Sequence, residues 1–148
     1  MRRTIGVLSV LLSLFGAAGP ASAQEAGQVG SSGQARGFQL EQNYPNPFNP
    51  ETRIPFVLGE DLFADGRPVV VSLRIFNLLQ QFVAAPVALG HPSGEGVPLL
   101  NLEYTQPGRY EAFWDGTDPS GRQVASGIYF MQLTVNGRAK TRKMYVLK

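Results

Sequence analysis

From residue 38 to the end of this 148-residue chain, no stretch holds an apolar period near 3.6. Apolar residues instead alternate along short runs cut by Gly, Pro, Asn and Asp, the pattern of half-buried strands joined by turns. Residues 52–58 (TRIPFVL) set Ile54, Phe56 and Leu58 on one face, and Pro55 marks an edge strand or a strand beginning. Residues 69–77 gather Val69, Val71, Leu73 and Ile75 on one face and turn Ser72 and Arg74 to the other. Residues 81–89 read as a weaker strand broken by Pro86, 90–98 as a loop, and 99–104 as a further strand. Residues 108–114 put Tyr110, Ala112 and Trp114 together, with Trp114 expected to point between sheets. Residues 127–135 align Tyr129, Met131, Leu133 and Val135. Asn136-Gly137 is a strong two-residue hairpin signal. It leads to residues 140–147, where Met144 and Val146 alternate with Lys143, Tyr145 and Leu147. Short strands at spacings of about 8–12 residues predict an antiparallel, all-β sandwich.

Ahead of this domain, Arg2 and Arg3 precede an apolar run over 5–18 and an Ala21-Ser22-Ala23 cleavage pattern. Residues 1–23 therefore read as a secretory signal peptide. The apolar run is shorter than the roughly 20 residues a bilayer span needs, and the residues around Arg2-Arg3 do not support a twin-arginine route. Residues 24–37 are rich in Gly, Ser, Gln and Ala and read as a flexible linker, leaving 38–148 as the domain. Loss of Arg2 and Arg3 takes the 13 basic residues down to 11, equal to the 11 acidic ones. An exported chain without net charge has little attraction for phosphate, so nucleic acid is not an expected partner. The last residues still concentrate Arg138, Lys140, Arg142, Lys143 and Lys148 with no acid among them. Such a cluster either protects a terminal edge strand or steers it to an acidic receptor.

Side-chain chemistry excludes most enzyme classes. With no Cys there is no disulfide framework, thiolate nucleophile or Cys-ligated metal. With His91 alone, no site built on several histidines exists, and a Ser-His-Asp triad would have to use that residue. His91 lies in a Gly- and Pro-rich loop, where a solvated side chain is expected. Asp115 and Asp118 in WDGTDPSG invite a calcium reading, but Pro119 stands where a further oxygen ligand belongs and no Glu follows. A turn is the stronger reading. No P-loop, G-x-S-x-G or G-x-G-x-x-G occurs. Neither zinc nor calcium, no cofactor, no catalytic residue and no small-molecule substrate is expected. In NYPNPFNP (43–50) the prolines predict a stiff, extended lead-in whose Tyr44 and Phe48 dock on the sandwich end. The other reading is a proline-rich ligand for a second protein.

Four segments carry a resemblance: LEQNYPNPFNPETRIPF (40–56), VVVSLRIFNLLQQ (69–81), WDGTDPSGRQVASGIYFMQL (114–133) and KTRKMYVLK (140–148). Together they resemble the C-terminal sorting domain (type A) of type IX secretion cargo. The WDGTD…SGIY portion is also similar to the Ig-like domain of flagellar hook-capping proteins. The resemblance implies an Ig-like antiparallel β-sandwich of about seven strands. It implies Sec export to the periplasm, recognition by the type IX outer-membrane translocon, and removal of the domain by a surface sortase. It further implies a cell-surface or extracellular destination, with cargo linked to anionic lipopolysaccharide or released. The family's Gly-x-Tyr, hairpin Gly and last-strand Lys match Gly127, Tyr129, Gly137 and Lys143. With Leu147 they form the candidate sorting signal. Members often carry a Gly after the second main strand, where this chain has Leu79-Gln80-Gln81; the stretches 64–68 and 90–98 are longer than usual; and only 24–37 stands where a passenger would be. A stand-alone structural or adhesive module of the hook-cap type is the alternative function.

Overall fold

Alternation becomes architecture in a computed structural model that describes residues 36–148; the signal peptide and nearly all of the linker lie outside the described residues. The strands are β1 (Phe38–Leu40), β2 (Thr52–Leu58), β3 (Val69–Phe76), β4 (Phe82–Ala84) and β5 (Val87–Ala88), then β6 (Leu102–Tyr104), β7 (Gly108–Trp114), β8 (Gly127–Val135) and β9 (Arg138–Val146). They pair antiparallel into two sheets. The first sheet runs β1-β2-β7-β5 and the second β4-β3-β8-β9, with β6 also on β3. Lettered as an Ig domain, these are A-B-E-D and C′-C-F-G, the two-sheet order of that fold.

The all-β sandwich matches the expectation, with nine strands rather than about seven among the described residues. The excess arises between residues 81 and 104. Proline cannot extend a ladder, and at Pro86 the chain leaves β4 in the second sheet for β5 in the first. It then returns as β6 to pair with Val69–Val71.

The predicted inward faces are buried except at Tyr110, which is half-buried against the core. Ile54, Phe56, Val69, Val71, Leu73, Ile75, Ala112, Met131, Leu133 and Met144 are fully so. Two expectations need correction here, at Pro55 and Tyr44. Pro55 sits in β2, which is flanked by β1 and β7, not at an edge. The Pro55 carbonyl accepts from Glu41 N–H at 3.0 Å, so its missing donor points to the side where β1 has already ended. Ser72 points to the outer face as expected and is covered there by Asn101, whose N–H donates to its Oγ at 2.8 Å. Tyr44 stays 44% exposed, with its hydroxyl on Glu111, whereas Phe48 docks as expected and is 1% exposed. Phe48 fits because the proline-rich segment crosses between sheets. Tyr44 bridges to Arg53 of the first, and Phe48 runs parallel to Val146 of the second.

Candidate functional site

The terminal hairpin β8–β9 carries all the candidate sorting residues except Leu147, which follows β9. Gly127 and Tyr129 open β8, where Gly127 lies opposite Val146. Gly127 has φ 151 with no atom in the way of a side chain, so the constraint on it is conformational. Tyr129 is buried and donates its hydroxyl to the Ala125 carbonyl at 2.8 Å. A Tyr at the start of strand F bonded to backbone a few residues upstream is a tyrosine corner. Burial raises its phenol pKa. At the far end, Asn136 (φ 47) and Gly137 (φ 83) form a left-handed two-residue turn. Asn136 also docks that turn onto β3: Val70 N–H donates to its Oδ1 at 2.9 Å, and its own N–H donates to the Val70 carbonyl at 2.9 Å. The strands thus hold Gly127, Tyr129 and Leu147 at one end and Gly137 at the other. Lys143 lies on the outer face opposite Phe130. Gly127, Tyr129 and Gly137 shape the fold; Lys143 and the 60%-exposed Leu147 are presented to solvent.

β9 is an edge strand, and its two halves are treated differently. Along the C-terminal half, the proline-rich segment covers the outward backbone groups. Gln42 Nε2 donates to the Lys143 carbonyl at 2.9 Å, Tyr145 N–H to Asn46 Oδ1 at 3.0 Å, Phe48 N–H to the Tyr145 carbonyl at 3.0 Å and Leu147 N–H to the Phe48 carbonyl at 3.1 Å. Sequence reasoning missed this role of Gln42 and Asn46. The available signal was a run of prolines that lack donors, interleaved with side chains that supply hydrogen-bonding groups. Along the N-terminal half, Ala139 and Thr141 alternate with Lys140 and Arg142. Lys140 Nζ donates to the Phe38 carbonyl and Arg142 Nε to the Leu40 carbonyl at 2.6 Å. Two of the five terminal cations therefore close the edge of β1, a device against edge-to-edge pairing.

Other candidate residues have settled structural roles. His91 is buried rather than solvated. Ser93 N–H donates to its Nδ1 at 3.1 Å, which leaves Nε2 as the donor to the Glu103 carbonyl at 2.9 Å. Its ring lies 4.8 Å from that of Tyr104. Asp115 Oδ1 accepts from Thr117 N–H and hydroxyl at 3.0 and 2.6 Å. Asp118 Oδ1 accepts from Ser120 N–H and hydroxyl at 2.9 and 2.6 Å, and from Arg122 N–H at 3.1 Å. The Ser120 hydroxyl is the main cause of a lowered Asp118 pKa. Both carboxylates build turns.

Two identical chemical changes should differ in their effect on stability. Tyr129→Phe removes the donor to Ala125 and is expected to cost roughly 1 kcal/mol. The Tyr104 hydroxyl is buried without a hydrogen-bond partner among the described residues, and burial lifts its pKa to about 12. Tyr104→Phe is expected to be neutral or to stabilise by up to about 1 kcal/mol. Urea midpoints at equal m-values read both, and a loss at Tyr104 matching that at Tyr129 would contradict the assignment.

No family profile and no curated protein matches the chain. Among solved structures it is similar to dimeric latent PorU from Porphyromonas gingivalis, with a TM-score of 0.49 and 19% identity. That match covers 74% of this chain and 9% of PorU. It is also similar to PorZ, an essential bacterial surface component of the type-IX secretion system of the same organism, with a TM-score of 0.42 and 17% identity. There 81% of this chain and 13% of PorZ are covered. The chain thus spans a small part of either protein.

Proposed function

We propose that residues 38–148 are a non-enzymatic sorting domain. It is read by the type IX translocon after Sec export to the periplasm and removed by the surface sortase. Cargo then goes to the cell surface or the medium, with attachment to lipopolysaccharide after processing. The resemblance of the four segments supplies this reading. The observation that supports it is the division of labour in the terminal hairpin: Gly127, Tyr129 and Gly137 build the fold, while Lys143 stands exposed on an edge strand. An edge strand with outward groups at Ala139 and Thr141 offers a receptor backbone pairing as well as a charge. The function calls for no cofactor, small-molecule substrate or nucleic acid.

The test inserts a reporter into 24–37 of the full chain, expressed in a bacterium that has the type IX system. The parent is expected at the surface. Lys143→Glu is expected to lower surface reporter several-fold with unchanged melting. Lys143→Ala should do less, because one exposed charge carries about 1 kcal/mol or less. Deleting 140–148 is the wrong experiment, since it removes the buried Met144 and Val146. A parent chain that stays in the periplasm would sink the proposal.

A further inference from the structure

The outer faces of the two sheets differ in kind. On the first, Arg53 and Arg109 pair with Glu111 at 3.4 and 3.3 Å, Arg109 pairs with Glu41 at 2.8 Å, and the Tyr44 hydroxyl joins Glu111. That face is closed by its own charges. On the second, the outward positions of β3, β8 and β9 include no acid, Glu103 of the short β6 stands beside Val70 at the far end of β3, and neither Arg74 nor Lys143 forms a salt bridge among the described residues. The strand registers line up Phe82, Phe76, Phe130 and Lys143 as one row across β4, β3, β8 and β9. Phe76 and Phe82 pack edge-on at 6.4 Å, and Phe82 remains 50% exposed. Phe76 and Phe130 help line a groove of about 510 Å³ walled by Leu78, Gln80, Gln132 and Thr141.

The turn beside this row is rigid and apolar at its tip. Asn77 Oδ1 accepts from Leu79 and Gln81 N–H at 2.9 and 3.0 Å, its N–H donates to the Gln81 carbonyl at 3.0 Å, and its carbonyl accepts from Gln80 N–H at 3.0 Å. These bonds hold Gln80 at φ 61, a conformation that disfavours a side chain. Such strain persists only where surrounding structure over-determines it, and it clusters at functional positions. The turn presents Leu78 and Leu79 at 61% and 77% exposure. Preorganised apolar anchors beside a recessed aromatic floor are the anatomy of an interaction hot spot.

We propose that the Asn77–Gln81 turn and the Phe82-Phe76-Phe130-Lys143 row form a docking surface for a protein segment that brings apolar side chains flanked by carboxylates. The unpaired Arg74 and Lys143 select the acidic rim of the partner. A second copy of this chain fits poorly, because a two-fold face-to-face contact would set these cations against their like. The recessed groove receives a protruding side chain, not a flat bilayer. For the partner's identity, a component of the export machinery, this inference rests on the sorting function proposed above; its location rests on geometry alone.

The full chain with a reporter in 24–37 is compared with Leu78→Ser/Leu79→Ser and, separately, Arg74→Glu, in the same type IX host. Both variants should melt close to the parent, since Leu78 and Leu79 are exposed and Arg74 is half-buried on the outer face, outside the core, and should deliver at least about tenfold less reporter to the surface. If the parent is delivered and both variants equal it, the docking surface is refuted while the sorting function stands. If the parent is not delivered, the sorting function fails and takes this partner with it. Two further measurements test the occupant. Co-sedimentation with phosphatidylglycerol vesicles that the leucine variant loses would reassign the face to a membrane and overturn the proposal. So would sedimentation velocity showing a parent dimer that the same variant dissolves.

Discussion

Replacing Trp114 by alanine is expected to destabilise the domain by about 3–5 kcal/mol, lowering its melting temperature by roughly 10–20 °C. Trp114 ends β7 and is 3% exposed. Its indole lies 5.4 Å from the ring of Phe48 and 6.1 Å from that of Tyr129, and its Nε1–H donates to the Thr117 carbonyl at 2.9 Å. One side chain therefore joins the proline-rich lead-in, the tyrosine corner and the WDGTD loop. Truncation leaves a cavity shared by all three, and the flanking rings cannot collapse far because Tyr129 is held in the β8–β9 ladder and Phe48 by backbone hydrogen bonds with Tyr145 and Leu147. Trp114→Phe separates the contributions. It keeps an aromatic ring between Phe48 and Tyr129, loses the indole donor and part of the ring volume, and should cost about 1–2 kcal/mol, less than the alanine variant. Thermal melts followed by near-ultraviolet circular dichroism read both variants. A melting temperature for Trp114→Ala within about 2 °C of the parent would be incompatible with a buried indole at this position.

How far the chain discloses this fold depends on the range of the physics involved. Alternation is local, so the inward faces of β2, β3, β7 and β8 are visible in the residues themselves, as is the Asn136-Gly137 turn. What stays hidden depends on partners distant in sequence. Pro55 looks like an edge marker until one sees that β1 is only three residues long and ends before its missing donor matters. His91 looks solvated because its loop is polar, yet Glu103 and Ser93 satisfy both ring nitrogens. Lys140 and Arg142 read as solvent-facing charges, but their targets are carbonyls about a hundred residues away. Gln80 is the instructive case. Its place in the chain is one where members of the family that the sequence resembles often carry Gly, and the backbone there does adopt a left-handed conformation with φ 61. A left-handed residue other than glycine is held there because Asn77 clamps the turn. For the candidate site, Gly127, Tyr129 and Gly137 were legible as positions but not as roles, since a tyrosine corner is defined by a bond to backbone that spacing alone does not display.

Gly116→Ala should be among the most damaging single changes in the domain, at roughly 2–5 kcal/mol from two additive causes. The backbone there has φ +77, where a β-carbon costs about 1–2 kcal/mol. A β-carbon would also stand 2.4 Å from the Pro50 carbonyl oxygen. That atom is backbone, fixed by the ring of Pro50 and by the start of β2 at Thr52, so it cannot swing aside as a flexible side chain would. Relieving the overlap means moving the proline-rich segment off the WDGTD loop, a shift of the kind that costs about 1–3 kcal/mol in packed cores. Gly121→Ala supplies the control. Its φ is +80 and no atom lies within 4 Å of the new β-carbon, so only the conformational cost applies. Urea midpoints for the two variants, compared at equal m-values, should differ by about 1–3 kcal/mol with Gly116→Ala the weaker. Because the segment moved by Gly116→Ala is the one that covers the C-terminal half of β9, amide exchange at Tyr145 and Leu147 should also accelerate in that variant and not in Gly121→Ala. Equal midpoints would mean that Pro50 does not press on the loop, and the docking of residues 43–50 against the WDGTD turn would have to be given up.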